Sequence, residues 1–149
     1  SELRWTVVEQ PHYAECGQKL FSSDELSFRR PIAEAIADRP PTVALISGVI
    51  QFLPEPFAVL DELLGCGAST VIIDRTPFAE IGEDLIAVQH IPPTIFKASY
   101  ASWIFARAPF LDRVRGRFEI LAEFDSAADG RAWLGAQEFV YGGLILQRR

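Results

Sequence analysis

Runs of apolar residues separated by proline and glycine divide the chain into short segments of alternating character. Arg4-Trp5-Thr6-Val7-Val8-Glu9 is β-branched and aromatic and apolar on both faces, which predicts a strand inside a covered sheet, ending on an acid. Pro11 suits the first position of a helix that carries Tyr13, Cys16, Gly17, Leu20 and Phe21 on one stripe. Leu26-Ser27-Phe28 predicts a second short strand, and Pro31 opens a helix facing Ile32, Ala35 and Ile36 inward until Pro40-Pro41 stops it. Thr42 to Gly48 is too short for a helix and almost wholly apolar, the pattern of a central buried strand. A helix with Phe57, Leu60, Leu63 and Leu64 on one face follows, closed by Gly65, and then a buried strand from Ser69 to Asp74.

From Arg75 to Ser102 no period holds, and the prolines at 77, 92 and 93 predict a long excursion over the sheet edge. Pro109 predicts a helix through Arg115. Phe118, Ile120, Ala122 and Phe124 then alternate with polar residues as in a half-exposed strand, and Glu138–Gln147 is a longer apolar one. The last two strands lack a crossover helix between them and should pair antiparallel. The whole predicts an α/β fold, a mostly parallel sheet with an antiparallel C-terminal strand pair.

The chain has 149 residues, enough for one self-standing core, and 49% of them are apolar, which excludes a disordered chain. A net charge of −6 repels phosphate backbones and anionic lipid, so neither nucleic acid nor a membrane is an expected partner. The pair Cys16 and Cys66 forms no disulfide framework or metal-ligand cluster, and with no signal peptide and no spanning segment the expected location is the cytoplasm.

In parallel sheets ligands bind at the C-terminal strand ends, here Glu9-Gln10, Phe28-Arg29, Ser47-Gly48 and Asp74-Arg75. A carboxylate such as Glu9 can accept both hydrogen bonds of a ribose diol, or simply cap the helix that follows. Asp74 and Arg75 are candidates for a polar substrate, or for a surface ion pair. Gln89, Tyr100 and Trp103 either line a substrate pocket or belong to the core. The only histidines, His12 and His90, are candidate proton acceptors, although a histidine beside a helix start or a Pro-rich loop is more often a surface or hydrogen-bonding residue. His12 and Cys16 stand one helical turn apart, but two ligands do not make a metal site.

The order of elements resembles the class I S-adenosylmethionine-dependent methyltransferases from their second strand onward. VVEQP at 7–11, SGVIQFLPEP at 47–56, IDRTPF at 73–78 and VQHIPPTIFKASYASWIF at 88–105 are similar to a small family of bacterial methyltransferase-like proteins. The resemblance spans nearly the whole chain. It implies a Rossmann-like methyltransferase sheet, S-adenosylmethionine as cofactor and a small polar or sugar-like acceptor. It also implies that Glu9 and Gln10 lie at the ribose, Phe28 and Arg29 near the adenine, and Ser47, Gly48 and Gln51 at the methionine end.

The first strand and Gly-rich turn of those enzymes have no counterpart here, since Gly65-Cys66-Gly67 precedes a strand and reads as a helix stop. The expectation is one N-terminally truncated domain over 1–149 that binds the cofactor weakly or not at all. Either its first two strands close onto the Val43 strand or another chain fills the gap. The alternatives are a non-catalytic module that dimerises through an exposed sheet edge, and an α/β sheet serving another nucleotide-like ligand.

Overall fold

The computed structural model describes residues 3–37 and 39–149. β1 (Trp5–Val8), α1 (Pro11–Leu20), β2 (Leu26–Arg29) and α2 (Ile32–Ile36) form the first part of the chain, in which β1 and β2 pair in parallel as a sheet of their own. β3 (Val43–Ser47), a 3-10 turn at Ile50–Phe52, α3 (Pro56–Gly65) and β4 (Thr70–Ala79) follow. β5 (Leu85–His90), β6 (Ser99–Ala106), α4 (Arg107–Arg115), β7 (Phe118–Asp125), β8 (Arg131–Leu134) and β9 (Gln137–Arg148) complete the chain. The larger sheet has seven strands in the order β5-β6-β4-β9-β7, with β3 beside β4 and β8 beside β9.

β9 runs along one edge of β4, so β3 and β6 share the other, β3 along Thr70–Asp74 and β6 at Phe78 and Ala79. Both of these pairings are parallel, whereas β4–β9, β5–β6, β7–β9 and β8–β9 are antiparallel. The sheet is therefore mixed and mostly antiparallel, correcting the mostly parallel sheet expected. The antiparallel C-terminal pair is present as β7–β9. The expected excursion at 75–102 is largely strand: β4 continues past a register shift between Ile73 and Thr76, and β5 and β6 pair with each other.

The core lies where α3 and α4 pack on the large sheet. Leu60 and Leu64 of α3 and Phe110 and Val114 of α4 are buried together with Val71, Ile73, Phe105, Phe118, Leu144 and Leu146. Ile32 and Ile36 of α2 pack against this cluster. Among the described residues no helix is long and apolar enough to cross a membrane.

Three expectations change at the N-terminal side. The strand at Val43 is an edge, not a central strand: Ala44 and Ile46 turn to the core, while Val43 and Leu45 are 51% and 46% exposed on the other face. Trp5 and Val8 of β1 are likewise exposed, so that strand is not covered on both faces. On α1 the buried residues are Ala14 and Gly17, and Tyr13, Cys16, Leu20 and Phe21 lie outside. Among the described residues β1 does not close onto β3, and each has a strand neighbour on one side only.

Candidate functional site at the strand ends

β3 ends in a tight turn that requires glycine, because Gly48 has φ +64°. Its N–H donates to the Asp74 carbonyl at 3.0 Å and so continues the β3–β4 ladder. The Asp74 carboxylate holds the two strand ends together, accepting from Ser47 Oγ at 3.1 Å and from the Arg75 N–H at 2.8 Å. Asp74 thus accepts from a hydroxyl and a backbone N–H, and the ion pair of Arg75 is made with another carboxylate.

Arg75 sits at the irregularity in β4 with φ +55°, the one non-glycine residue with positive φ among those described. Such a conformation costs on the order of 1–3 kcal/mol and persists only where its surroundings hold it. Here they do so from two sides. Gln51 Nε2 donates to the Arg75 carbonyl at 3.3 Å, and the guanidinium grips Asp129 through Nε at 2.7 Å and Nη2 at 3.0 Å. Asp129 also accepts from Ser126 Oγ at 3.1 Å, and the Ser126 N–H donates to the Tyr141 carbonyl at 2.7 Å. The Arg75 bonds hold the Asp129 carboxyl below the usual carboxylate range against the effect of its burial. Burial pushes the Tyr141 phenol up, and Asp129 and Tyr100 push it the same way.

Gln51 is 3% exposed, and its Oε1 is buried without a hydrogen-bond partner. The turn that carries it is anchored to β6: Trp103 Nε1 donates to the Leu53 carbonyl at 3.0 Å, and Phe52 meets Tyr100 edge to face at 5.0 Å. Tyr100 lies opposite Gln89 in the β5–β6 register. Gln51, Arg75, Asp129, Tyr141 and Tyr100 are thus linked through direct bonds, ring contacts or electrostatic coupling. Asp129, Ser126 and Tyr141 were not among the candidates the sequence singled out.

The residues of β1 and β2 form a second group. The Glu9 N–H donates to the Arg29 carbonyl at 3.1 Å, and one Glu9 carboxylate oxygen accepts from the Gln10 N–H at 2.9 Å. The Glu9 side chain is exposed. Phe28 is packed against Gly17, whose position has no room for a Cβ beneath the ring, and Arg29 Nη1 donates to the Phe28 carbonyl at 2.9 Å. Both side chains are thus engaged within their own unit. The His12 ring lies 4.1 Å from that of Tyr13, tilted by 41°, on the exposed side of α1, and His90 is exposed at the end of β5. Among the described residues neither imidazole hydrogen-bonds to the strand-end cluster, and no three His, Cys, Asp or Glu side chains gather as a metal site.

The structure leaves these two groups on separate sheets. Two clefts lie away from both: one of about 600 Å³ flanked by Phe78, Arg107, Glu123 and Phe139, and one of about 430 Å³ at Arg115, Glu119 and Arg149. We place the site at the strand ends because the strained backbone and the unsatisfied buried amide lie there, whereas the clefts combine open surface with surface ion pairs. For a nucleoside-bearing sulfonium cofactor the residues fit in part. Glu9 suits a ribose hydroxyl and the Gly48 turn allows close backbone approach, but the two stand at the ends of strands in separate sheets.

No family model matches the chain, and no curated protein matches it in sequence. Among solved structures it is similar to the glycopeptide N-methyltransferase MtfA complexed with sinefungin, with a TM-score of 0.55 at 14% identity over 95% of this chain and 76% of that one. It is similar also to MtfA complexed with S-adenosyl-L-homocysteine, with a TM-score of 0.53 at 15% identity over 97% and 73%. MtfA without a named ligand gives 0.51 at 14% identity over 96% and 78%. At these identities the likeness concerns the fold alone.

Proposed function

We propose that this chain is the larger part of an S-adenosylmethionine-dependent methyltransferase that acts on a small polar or sugar-like acceptor. The observation that carries the reading is the pair of unpaired edges on β1 and β3, each in a parallel pair and each ending in a candidate cofactor residue. One strand parallel to both, with a glycine turn at its end, joins the two sheets and brings Glu9 to the same ligand as Ser47, Gly48 and Gln51. The uncovered face at Val43 and Leu45 calls for a helical segment above it. In this reading the 149 residues alone bind the cofactor weakly or not at all, and the protein works in the cytoplasm, where the exposed Cys16 thiol stays reduced.

When bound, the cofactor supplies an electrophilic methyl group on sulfur. The chain's own part is to hold the ribose, align the acceptor and exclude water. Phe28 and Arg29 act here by shaping the β1–β2 unit and not by touching the adenine. Asp74 acts by fixing the Ser47–Gly48 turn, and Gln89 and Tyr100 by forming the wall beyond Gln51. His12 and His90 have no part in the transfer.

Calorimetric titration of S-adenosyl-L-homocysteine tests the proposal, using this chain and a version extended upstream through one further strand and turn. Binding to the extended form alone is the expected result, with Glu9→Ala weakening it by about 1.5–3 kcal/mol, roughly 10–150-fold. Binding to neither form, with both folded and the short chain dimeric in sedimentation, would replace the proposal with that of a non-catalytic module pairing through its free edges.

A further inference from the structure

The strand order β5-β6-β4-β9-β7 has two different ends. β7 carries Glu119, Glu123 and Asp125, charges of the kind that keep an edge strand from taking a further neighbour. β5 is Leu85-Ile86-Ala87-Val88-Gln89-His90 and carries no carboxylate, lysine, arginine or proline. Its pairing with β6 fixes which of its backbone groups are free. The Ile91 N–H donates to the Ala98 carbonyl at 3.0 Å, which makes these two residues a hydrogen-bonded pair. The alternation of an antiparallel ladder then gives the next bonds to Gln89 and Ala87, and Ile86, Val88 and His90 turn their N–H and C=O groups outward. The Ile86 and Val88 side chains are 58% and 61% exposed, and Ile95 and Phe96 are exposed in the turn that joins β5 to β6. In a chain of net charge −6, no Asp or Glu occurs between Asp84 and Asp112.

Independently of the methyltransferase reading, we propose that β5 is an interface for a second copy of this chain, pairing with its counterpart antiparallel about a two-fold axis at Val88. In that register Val88 stands opposite Val88, and Ile86 opposite His90, so all three residues with outward backbone groups meet residues of the same kind. A shift by one residue would set outward groups against groups already bonded to β6. Ile86 and Val88 of both copies then form one apolar row on a single face of the joined sheet. The charges agree with this arrangement. The turn that ends β5 comes beside the residues that precede β5 in the partner copy, which brings Lys97 to Glu83 of the partner copy, once at each end of the pair. Both residues are exposed, and among the described residues neither has an ion-pair partner in its own chain. Over most of the remaining surface two copies of an acidic chain repel each other. The edge and its turn bury roughly 1,000 Å2 over the two copies, the lower limit of a specific interface, so the dimer is a concentration-dependent one. It closes on itself and leaves the free edges of β1 and β3 untouched.

Sedimentation velocity over a concentration series tests the proposal, with circular dichroism as the control for folding. A monomer–dimer equilibrium is expected. Val88→Lys sets two ammonium groups opposite each other on the axis and should weaken the dimer by at least about tenfold, whereas Leu45→Lys on β3 should leave it as it was. Lys97→Glu and Glu83→Lys should each weaken it by roughly threefold, and the double variant, which restores both ion pairs, should recover the original affinity. In a Cys16→Ser background, Val88→Cys should cross-link across the axis on oxidation, and Ile86→Cys, opposite a histidine, should not. A chain that stays monomeric overturns the proposal, as does a dimer lost with Leu45→Lys and kept with Val88→Lys. A double charge variant no better than its parents, or equal cross-linking at the two cysteines, also overturns it. The version extended upstream separates this claim from the methyltransferase reading. A dimer that disappears on extension belongs to the β1 and β3 edges and removes the β5 interface alone, and a dimer that persists without binding S-adenosyl-L-homocysteine removes the methyltransferase reading alone.

Discussion

Two leucines of the same size provide a measure of whether β3 is an edge in the working protein. Leu60 on α3 is fully buried, and Leu45 on β3 is 46% exposed. Truncating a buried leucine costs about 2–5 kcal/mol through lost transfer energy and the cavity left behind. Leu60→Ala should therefore lie in the middle of that range, about 3–4 kcal/mol. Leu45 has about half its surface already in water and leaves an open notch instead of a cavity, so Leu45→Ala should cost about 1–1.5 kcal/mol in this chain. If a further strand and helix cover β3, the exposed half of Leu45 becomes buried in the extended protein. The cost of Leu45→Ala should then rise by about 1 kcal/mol or more, while that of Leu60→Ala stays as it was. Urea unfolding of both variants in both chain lengths, under one set of conditions, gives the four numbers. An equal Leu45→Ala cost in the two lengths, with the Leu60 control unchanged, would refute the covering segment.

Asp129 beside Arg75 and Asp61 beside Arg113 both have carboxyls held below their unfolded values by the arginine bonds. Their contribution to stability is thus present above about pH 4 and lost as pH falls through the lowered folded values. Asp61→Asn and Asp129→Asn should each flatten the acid limb of a denaturation series, by small amounts because the pairs are solvent-screened. The Tyr141 phenol is shifted upward by burial, so stability should decline as pH climbs past about 10, where the unfolded phenol ionises first. Tyr141→Phe should weaken that decline, and absorbance titration of the folded protein should lose its late-ionising tyrosine. Gly17→Ala drives a Cβ into the Phe28 ring and should cost about 1–3 kcal/mol, part of which Phe28→Leu recovers. Lack of any recovery would show that Phe28 is not packed on α1. Trp103→Phe removes the donor to the Leu53 carbonyl and should cost about 0.5–1.5 kcal/mol.

Where one face of an element is packed and the other wet, its place was legible in the sequence. Leu60, Leu63 and Leu64 face the core as the helical spacing requires, and Phe118, Ile120 and Ala122 lie on a strand that pairs antiparallel with β9. β5 and β6 escaped because Leu85, Ile86 and Val88 are all exposed and their sequence has no alternation to betray a strand. β4 was cut short at Asp74 because no period holds beyond it and Pro77 follows; the strand passes through Arg75, where φ is +55°, as an irregularity paired with β9. The site was legible in the same uneven way. Ser47, Gly48 and Gln51 come together because they are neighbours in the chain, and Asp74 and Arg75 join them because β3 and β4 pair in parallel. Asp129 comes from a loop 54 positions beyond Arg75, and no local pattern could foretell that this carboxylate would take the guanidinium.

The misplacement of β3 is itself informative. Strands that evolve at an edge are usually marked by charged residues, proline or bulges that discourage further pairing. Val43-Ala44-Leu45-Ile46-Ser47 contains none of these, nor does Trp5-Thr6-Val7-Val8. Each presents a row of free backbone donors and acceptors and an apolar outer face, features that stabilise a strand only when it has neighbours on both sides. Two of the four candidate strand-end clusters, Glu9-Gln10 and Ser47-Gly48, stand at the ends of these two strands. A single parallel strand would satisfy both edges, which is the arrangement the proposed cofactor site requires.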